Sequence, residues 1–330
     1  MMPASPFDSD CFLVTGASGC IGSEVIHQLT QKRRPVVAAD LYPEDSSRTR
    51  LVMTEEQQAL AKWVHGDVTN FEQILALFQQ HPISHIIHLA GLQVPFCREN
   101  HVKGAQVNVM GTVHIFEAAL RHRERIKGLV YASSVAAMGP EGRPHYPHTH
   151  YGAYKLANEA TGKAYFHDSG LSSVGFAPHV VVGTTRLDGL TADLARAEAA
   201  AANGDDFQIG FGGPFVAHHV SDVAGAFIEA ASSGYKGSTV CDFANHRTTV
   251  ADYVALIKRH VQEGGGAEPR ITFNADKSLP FPADASGEAF RKVLPRFEFR
   301  KPEEYVGKNI EAYRKLFSEG LLRPDRLYKK

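Results

Sequence analysis

Short apolar runs alternate with helical periodicities along the first half of the chain. Cys11–Thr15 (CFLVT) reads as a buried strand, and Ile21–Thr30 puts Ile21, Val25, Ile26 and Leu29 on one helical face. The same reading predicts strands at Val36–Ala39, Trp63–His65, His85–Leu89, Gly128–Ser133 and Ser172–Phe176. Helices are predicted between them at Phe71–Gln79, Val102–Arg121 and Gly152–His167. Strands alternating with helices imply a parallel sheet covered on both faces, and near-continuous apolar strands agree with that.

The rhythm changes after Pro178. Gly, Thr and Asp punctuate Val182–Leu190, and an Ala-rich helix is predicted at Thr191–Ala202. A strand–helix signal returns at Val220–Ala231, followed by a strand at Ser238–Phe243 and a helix at Val250–Val261. Helices are also expected near Ser286–Val293 and Pro302–Phe317. The expected fold is α/β: a Rossmann-like, doubly wound parallel sheet in residues 1–176, with 216–245 returning to it. Residues 177–330 would build a smaller mixed α/β lobe. A ligand belongs in the crevice at the carboxyl ends of such strands.

Composition narrows the function. The 330 residues are 43% hydrophobic and 22% charged, as in ordinary globular proteins. Thirty-five Lys and Arg against 36 Asp and Glu give a formal charge of −1, without the basic excess of nucleic-acid binders or membrane-surface proteins. The N-terminal segment has no basic stretch leading into an apolar one, so no signal peptide is expected. No run of about 18 apolar residues marks a membrane helix. Four scattered cysteines, Cys11, Cys20, Cys97 and Cys241, fit a reducing cytoplasmic setting better than disulfides or a zinc site.

The first predicted strand runs into Thr15-Gly16-Ala17-Ser18-Gly19-Cys20-Ile21-Gly22 and then a helix. Glycines there permit a tight turn and let the backbone approach a pyrophosphate at the helix N-terminus. Asp40 ends the second predicted strand, 18 residues beyond Gly22. A carboxylate there accepts hydrogen bonds from both adenosine ribose hydroxyls and repels a 2′-phosphate, favouring NAD over NADP. Arg48 and Arg50 read as solvated.

Tyr151 and Lys155 lie four apart at the start of a predicted helix, so they share a face. A free tyrosine has a pKa of roughly 10. A neighbouring ammonium lowers it, so Tyr151 can take a hydroxyl proton while hydride leaves the same carbon. Ser134, after the fifth predicted strand, can orient the reacting oxygen.

Taken together, these residues resemble the extended short-chain dehydrogenase/reductases, in particular the NAD-dependent epimerase/dehydratase group, over almost the whole chain. Gly16, Gly19 and Gly22 match its TGxxGxxG loop. Gly66-Asp67-Val68 is similar to its adenine-contacting segment, and His88-Leu89-Ala90-Gly91 to its element under the cofactor. Asn108 begins an N-V-x-G-T match, and His219-Val220 with Asp222-Val223 match H-V-x-D-V. The resemblance implies that Ser134 orients substrate, Tyr151 is the acid/base, and Lys155 lowers the Tyr pKa and holds the nicotinamide ribose. It also implies that Cys20, Ile21, Leu89 and Pro178 line the NAD site, and that Gln93 meets substrate.

The departures bear on substrate. Val135-Ala136 follows Ser134 where dehydratases of the group carry an acidic pair, which disfavours water elimination. Phe215 falls where nucleotide-sugar enzymes carry the Arg that meets the diphosphate. Ala177 and Gln93 align with an Asn and a Lys of the UDP-galactose 4-epimerases. The expected substrate is therefore a carbohydrate: a sugar, sugar acid or sugar derivative. Dehydrogenase and epimerase chemistry begin with the same step, and these residues do not separate them. A nucleotide-sugar 4-epimerase with retained NAD, or a non-catalytic dinucleotide sensor, are the alternatives.

Other features divide between two readings. Arg186 and the N-terminus of the Ala-rich helix can hold a carboxylate or phosphate, or form a surface loop with Thr191 as N-cap. His145, His148 and His150 have metal-like spacing without an acidic or thiol partner, and no metal is expected. His218-His219 is ambiguous. Ala153, Leu156, Ala157, Ala160 and Ala164 form a small-residue stripe that is either core or half of a homodimer's helix bundle.

Overall fold

The computed structural model describes residues 10–139, 146–243, 247–283 and 286–328. Its first part runs β1 (Cys11–Thr15), α1 (Cys20–Gln31), β2 (Val36–Asp40), α2 (Glu55–Gln58), β3 (Lys62–His65), α3 (Phe71–Gln80), β4 (Ile83–His88), α4 (Val94–Glu99), α5 (His101–Ala105), α6 (Gly111–Arg121), β5 (Gly128–Ala132), α7 (His150–Ser169) and β6 (Ser173–Ala177). The rest comprises β7 (Val180–Val182), α8 (Asp193–Asn203), β8 (Phe207–Ile209), β9 (Pro214–His219), α9 (Val220–Ser232), β10 (Ser238–Asp242), β11 (Arg247–Thr249), α10 (Val250–Glu263), β12 (Ile271–Phe273), α11 (Glu288–Val293), α12 (Pro302–Ser318) and α13 (Pro324–Leu327).

The main sheet has the order β10-β6-β5-β4-β1-β2-β3, with every pairing parallel. All five residues of β1 and all six of β4 are buried, as expected of central strands covered on both faces. One face packs Val14, Val25, Ile26 and Leu29 against Val223, Ala224 and Phe227. The other packs Leu13 and Ile86 against Ile74, Phe78, Ile115 and Phe116. The strand order reverses between β1 and β4, so the loops after these strands diverge and open a crevice. Their ends are in register, Thr15 beside His88.

The expected long helix over Val102–Arg121 is interrupted by a π-helical turn, Gln106–Met110. Of the stretch expected to return to the sheet, α9 covers the sheet and β10 extends it beyond β6. β9 does not join. It pairs with β7 and β11 in a separate three-stranded sheet, because Phe215 and Ala217 are drawn into a second core around Tyr253, Ile257 and Ile310. The strand signal expected after Val220 is also displaced: His219 caps α9, so the strand ends where helix was only half expected. β8 and β12 make a two-stranded parallel ribbon.

Candidate active site

The loop after β1 turns on Gly16, whose φ is +69°. A Cβ there would lie 2.8 Å from the Ala90 nitrogen, so glycine lets the ends of β1 and β4 touch. A Cβ at Gly22 would meet the Gly16 carbonyl at 2.1 Å, which fixes α1 close under the loop. Gly19 begins α1 without a side-chain cap, leaving the first helical N–H groups for a ligand. The Ser18 hydroxyl is buried without a hydrogen-bond partner. Asp40 accepts from the Ser18 N–H at 2.9 Å. The cradle and its carboxylate therefore suit an anionic dinucleotide with a free ribose diol.

Two adjoining cavities flank this loop. One is lined by Asp40, Gly66, Asp67, Val68 and Ala90. The other is lined by Ile21, Gly22, Ser134, Tyr151, Lys155, Pro178 and Arg186. Gly16, Gly19, Cys20, Leu89, Gly91 and Gln93 border both. Asn108 borders neither. It is fully buried behind Gly91, donating to the carbonyls of Leu92 (3.1 Å) and Gly104 (3.0 Å), with its own oxygen 2.8 Å from where a Gly91 Cβ would stand.

Directional hydrogen bonds brace this wall. Thr112 Oγ1 donates to the Asn108 carbonyl (2.7 Å), so it accepts from His88 Nε2 (3.1 Å). His88 Nδ1 then accepts from Thr15 Oγ1 (2.7 Å). Burial holds the His88 pKa down to about 3, so the ring is neutral.

Thr149 caps α7 by accepting from the Gly152 N–H at 3.0 Å, which places Tyr151 and Lys155 on the first turns. A Cβ at Gly152 would strike the Ala136 carbonyl at 2.1 Å, so this glycine presses α7 against the turn after β5 that carries Ser134. Lys155 is buried, donates from Nζ to the Ala132 carbonyl (2.7 Å), and stands 5.5 Å from the Tyr151 ring centre. Burial lowers its pKa to about 8. Burial raises the Tyr151 pKa, and a Ser134 hydrogen bond and the Arg186 charge act against that rise.

A family model described as NAD dependent epimerase/dehydratase matches residues 12–241. The chain belongs to the NAD-dependent epimerase/dehydratase family. NAD is accordingly its cofactor. UDP-glucuronate 4-epimerase 6 of Arabidopsis thaliana is 30% identical over 184 residues, covering 52% of this chain and 39% of that protein. The match thus spans about two fifths of the length of that curated relative. The fold matches UDP-glucose 4-epimerase of Thermotoga maritima with a TM-score of 0.77 at 21% identity, covering 93% of this chain and 99% of that one. It matches L-threonine dehydrogenase of Clostridium difficile with a TM-score of 0.76 at 17% identity, covering 96% and 99%.

Other family motifs separate into cavity and scaffold. His219 and Asp222 are scaffold: His219 Nδ1 accepts from the Ser221 N–H at 3.2 Å, and Asp222 pairs with Arg300 at 2.7 Å. His218 is buried against Phe243 and Phe299. Phe215 is fully buried and packs on Tyr253, so its position offers a ring to the core. Ala177 is buried at the end of β6.

Thr191 does not cap the Ala-rich helix. α8 begins at Asp193 with Ala192 as its N-cap, because Asp193 accepts from the Gly210 N–H (2.9 Å) and Arg196 (3.2 Å). Thr191 is therefore free to accept from Arg186 Nη2 at 3.3 Å. Arg48 is not solvated: it pairs with Asp188 and lines the Asp40 cavity.

His150 lies against His101 with the rings tilted and their centres 4.0 Å apart, and His148 lies edge-on to Tyr146, while His145 falls outside the described residues. Among the described residues no group of three His, Cys, Asp or Glu side chains is placed to hold a metal. No described helix is long and apolar enough to cross a membrane.

Sequence reasoning missed His179 and Phe281, which line the cavity that holds Ser134, Tyr151 and Lys155. The sequence signal for His179 was its place directly after Pro178, at the end of the sixth strand.

Proposed function

We propose that this chain oxidises a carbohydrate hydroxyl with Tyr151 as the base. The observation that carries this reading is the convergence of Ser134, Tyr151 and Lys155 on the cavity whose opposite wall is the glycine loop. Residues 1–176 would form the NAD-binding unit and 177–330 the substrate lobe. The glycine loop, Asp40, Asp67, Val68, Leu89, Ala90, Gly91, Lys155 and Pro178 would hold NAD, with Asn108 bracing Gly91 from behind. Bound there, NAD supplies the acceptor for the hydride that leaves the substrate carbon.

Ser134 and Tyr151 would both bond the reacting hydroxyl. Tyr151 takes its proton as the C–H and O–H bonds break and the C=O bond forms. Arg186 would lower the cost of the phenolate until a substrate anion meets it, and Lys155 would bond the ribose hydroxyls. Gln93 and Arg186 border the substrate end. Among the described residues no acidic side chain lines this cavity, which opposes dehydration. If the ketone is released, the enzyme is a dehydrogenase; if hydride returns to the other face, it is an epimerase.

Similarity to UDP-glucuronate 4-epimerase 6 favours the second outcome on a nucleotide sugar, whereas buried Phe215 opposes a diphosphate contact there. A purely regulatory dinucleotide sensor has no need of the Tyr151–Lys155 pair. Purification with analysis of retained cofactor separates the cases. NAD that survives dilution supports epimerisation, and NADH accumulating on sugars or sugar acids supports dehydrogenation. Retention of NADP in place of NAD contradicts the role given to Asp40.

We also infer a homodimer packed through α7, whose Ala153, Ala160 and Ala164 are exposed beside half-buried Leu156 and Ala157. A monomeric mass in solution contradicts it. Four free cysteines, three of them buried, support a reducing cytoplasmic compartment.

A further inference from the structure

Resting on that reading of the cavity, we propose that the substrate carries a carboxylate and that Arg186 binds it. The catalytic cavity has two cationic side chains, Lys155 and Arg186, and among the described residues no acidic one. Lys155 is committed to the Ala132 carbonyl. Arg186 is not committed. Its Nη2 donates to a neutral hydroxyl, Thr191 Oγ1, at 3.3 Å, while its Nε is buried with no partner. A guanidinium partly withdrawn from water with an unsatisfied donor is costly until an anion meets it.

The surroundings were built for that approach. Gly189 has φ +107°, and a Cβ there would lie 2.1 Å from Gln93 Oε1 and 2.8 Å from Arg186 Nη2. Glycine thus lets the loop fold over Gln93 and Arg186 together. The Arg186 charge also reaches the Tyr151 phenol, which places the anion seat within range of the reacting oxygen.

Charge count selects carboxylate over phosphate. One fixed cation balances one negative charge, and a planar fork matches a planar carboxylate. A phosphate ester carries nearly two charges and calls for a second cation. His179, the other basic side chain on this wall, is partly buried and neutral, its Nε2 donating to the Pro282 carbonyl at 2.8 Å. The N-terminus of α8 offers no help, since Asp193 already occupies its first turn.

The test is calorimetric titration of the NAD-loaded protein with D-glucuronate, D-galacturonate, D-gluconate and D-galactonate. D-glucose, D-galactose, glucose 6-phosphate and UDP-glucose are the comparison ligands. At least one acid should bind about 10- to 100-fold more tightly than its neutral parent, the range of a hydrogen bond to a charged group. Arg186→Gln should remove that advantage, and Arg186→Lys should restore part of it. Unchanged NAD affinity and unfolding temperature show that each variant is folded. The proposal is overturned if no acid has an advantage, or if the advantage survives in Arg186→Gln. It is also overturned if glucose 6-phosphate or UDP-glucose binds more tightly than every acid. NADH formation and sugar inversion are read separately. An acid that binds without reacting sinks the proposed reaction and leaves the carboxylate seat standing; turnover confined to neutral sugars does the reverse.

Discussion

Asp188 forms an ion pair with Arg48 across the mouth of the cavity that contains Asp40, although the two are 140 residues apart. Asp188 lies two positions beyond Arg186, so one loop reaches both the cofactor cavity and the catalytic cavity. Thr185 anchors it by donating to the Cys20 carbonyl at the start of α1 (3.0 Å), and Arg196 by donating to the Leu187 carbonyl (3.0 Å).

This pair should slow NAD release. The Asp188 side chain is 51% exposed, so the pair is worth about 0.2–1 kcal/mol, at most about fivefold in dissociation rate. Arg48→Ala and Asp188→Ala should each speed release by that factor, and the double variant should be no faster than either. Raising salt should narrow the gap to wild type. Additive effects in the double variant contradict the clasp.

Glu198 gives the protein a stability maximum near pH 7. Its carboxyl is fully buried, accepts from Tyr253 (2.6 Å) and from Asn309 Nδ2 (3.1 and 3.2 Å), and burial pushes its pKa up to about 8. Between its ordinary 4.5 and 8 the folded state holds a proton that the unfolded state has lost, so stability falls as pH rises. His88 and His218, which are buried, and His179 and His219, which are partly buried, act oppositely. Burial depresses their pKa values, to about 3 for His88 and His218 and about 4 for His179. Their contribution is lost as pH falls below 6.5, where the unfolded rings protonate first. Thermal unfolding should therefore peak near pH 7 and decline towards 8. Glu198→Gln should abolish the decline; a wild-type Tm that climbs from pH 7 to 8 rules this out.

Glycines with similar dihedrals should differ sharply. Gly16→Ala combines positive φ with backbone 2.8 Å away, and should weaken NAD binding at least tenfold and lower Tm. Gly170→Ala, at φ +71° with nothing within 4 Å, should cost only about 1 kcal/mol and leave NAD affinity unchanged. Equal effects on NAD affinity would remove the argument for close approach at Gly16.

The parallel sheet was legible because the short apolar runs of β1 and β4 are followed by helical patterns. β7, β8, β11 and β12 were not legible, since each has three residues and is held by partners distant in sequence. The glycine loop and the Ser134, Tyr151 and Lys155 positions were readable because each depends on local spacing. The environment of Tyr151 was not: spacing put Lys155 on its face, but the burial that raises the Tyr151 pKa and the bond from Lys155 to the Ala132 carbonyl, 23 residues away, come from tertiary packing. Asn108 likewise reads as a contact residue in sequence and lies behind Gly91 in space. Arg48 seemed solvated because Asp188 is remote in the chain.

The central claim is that the Tyr151 phenol moves the proton. It is tested most directly by comparing wild type and Tyr151→Phe on any substrate that yields NADH or an inverted sugar. General acid–base catalysis contributes about 10²- to 10⁴-fold, so kcat should fall by that factor while the Kd for NAD stays unchanged. A kcat within about threefold of wild type, with NAD still bound, contradicts the account.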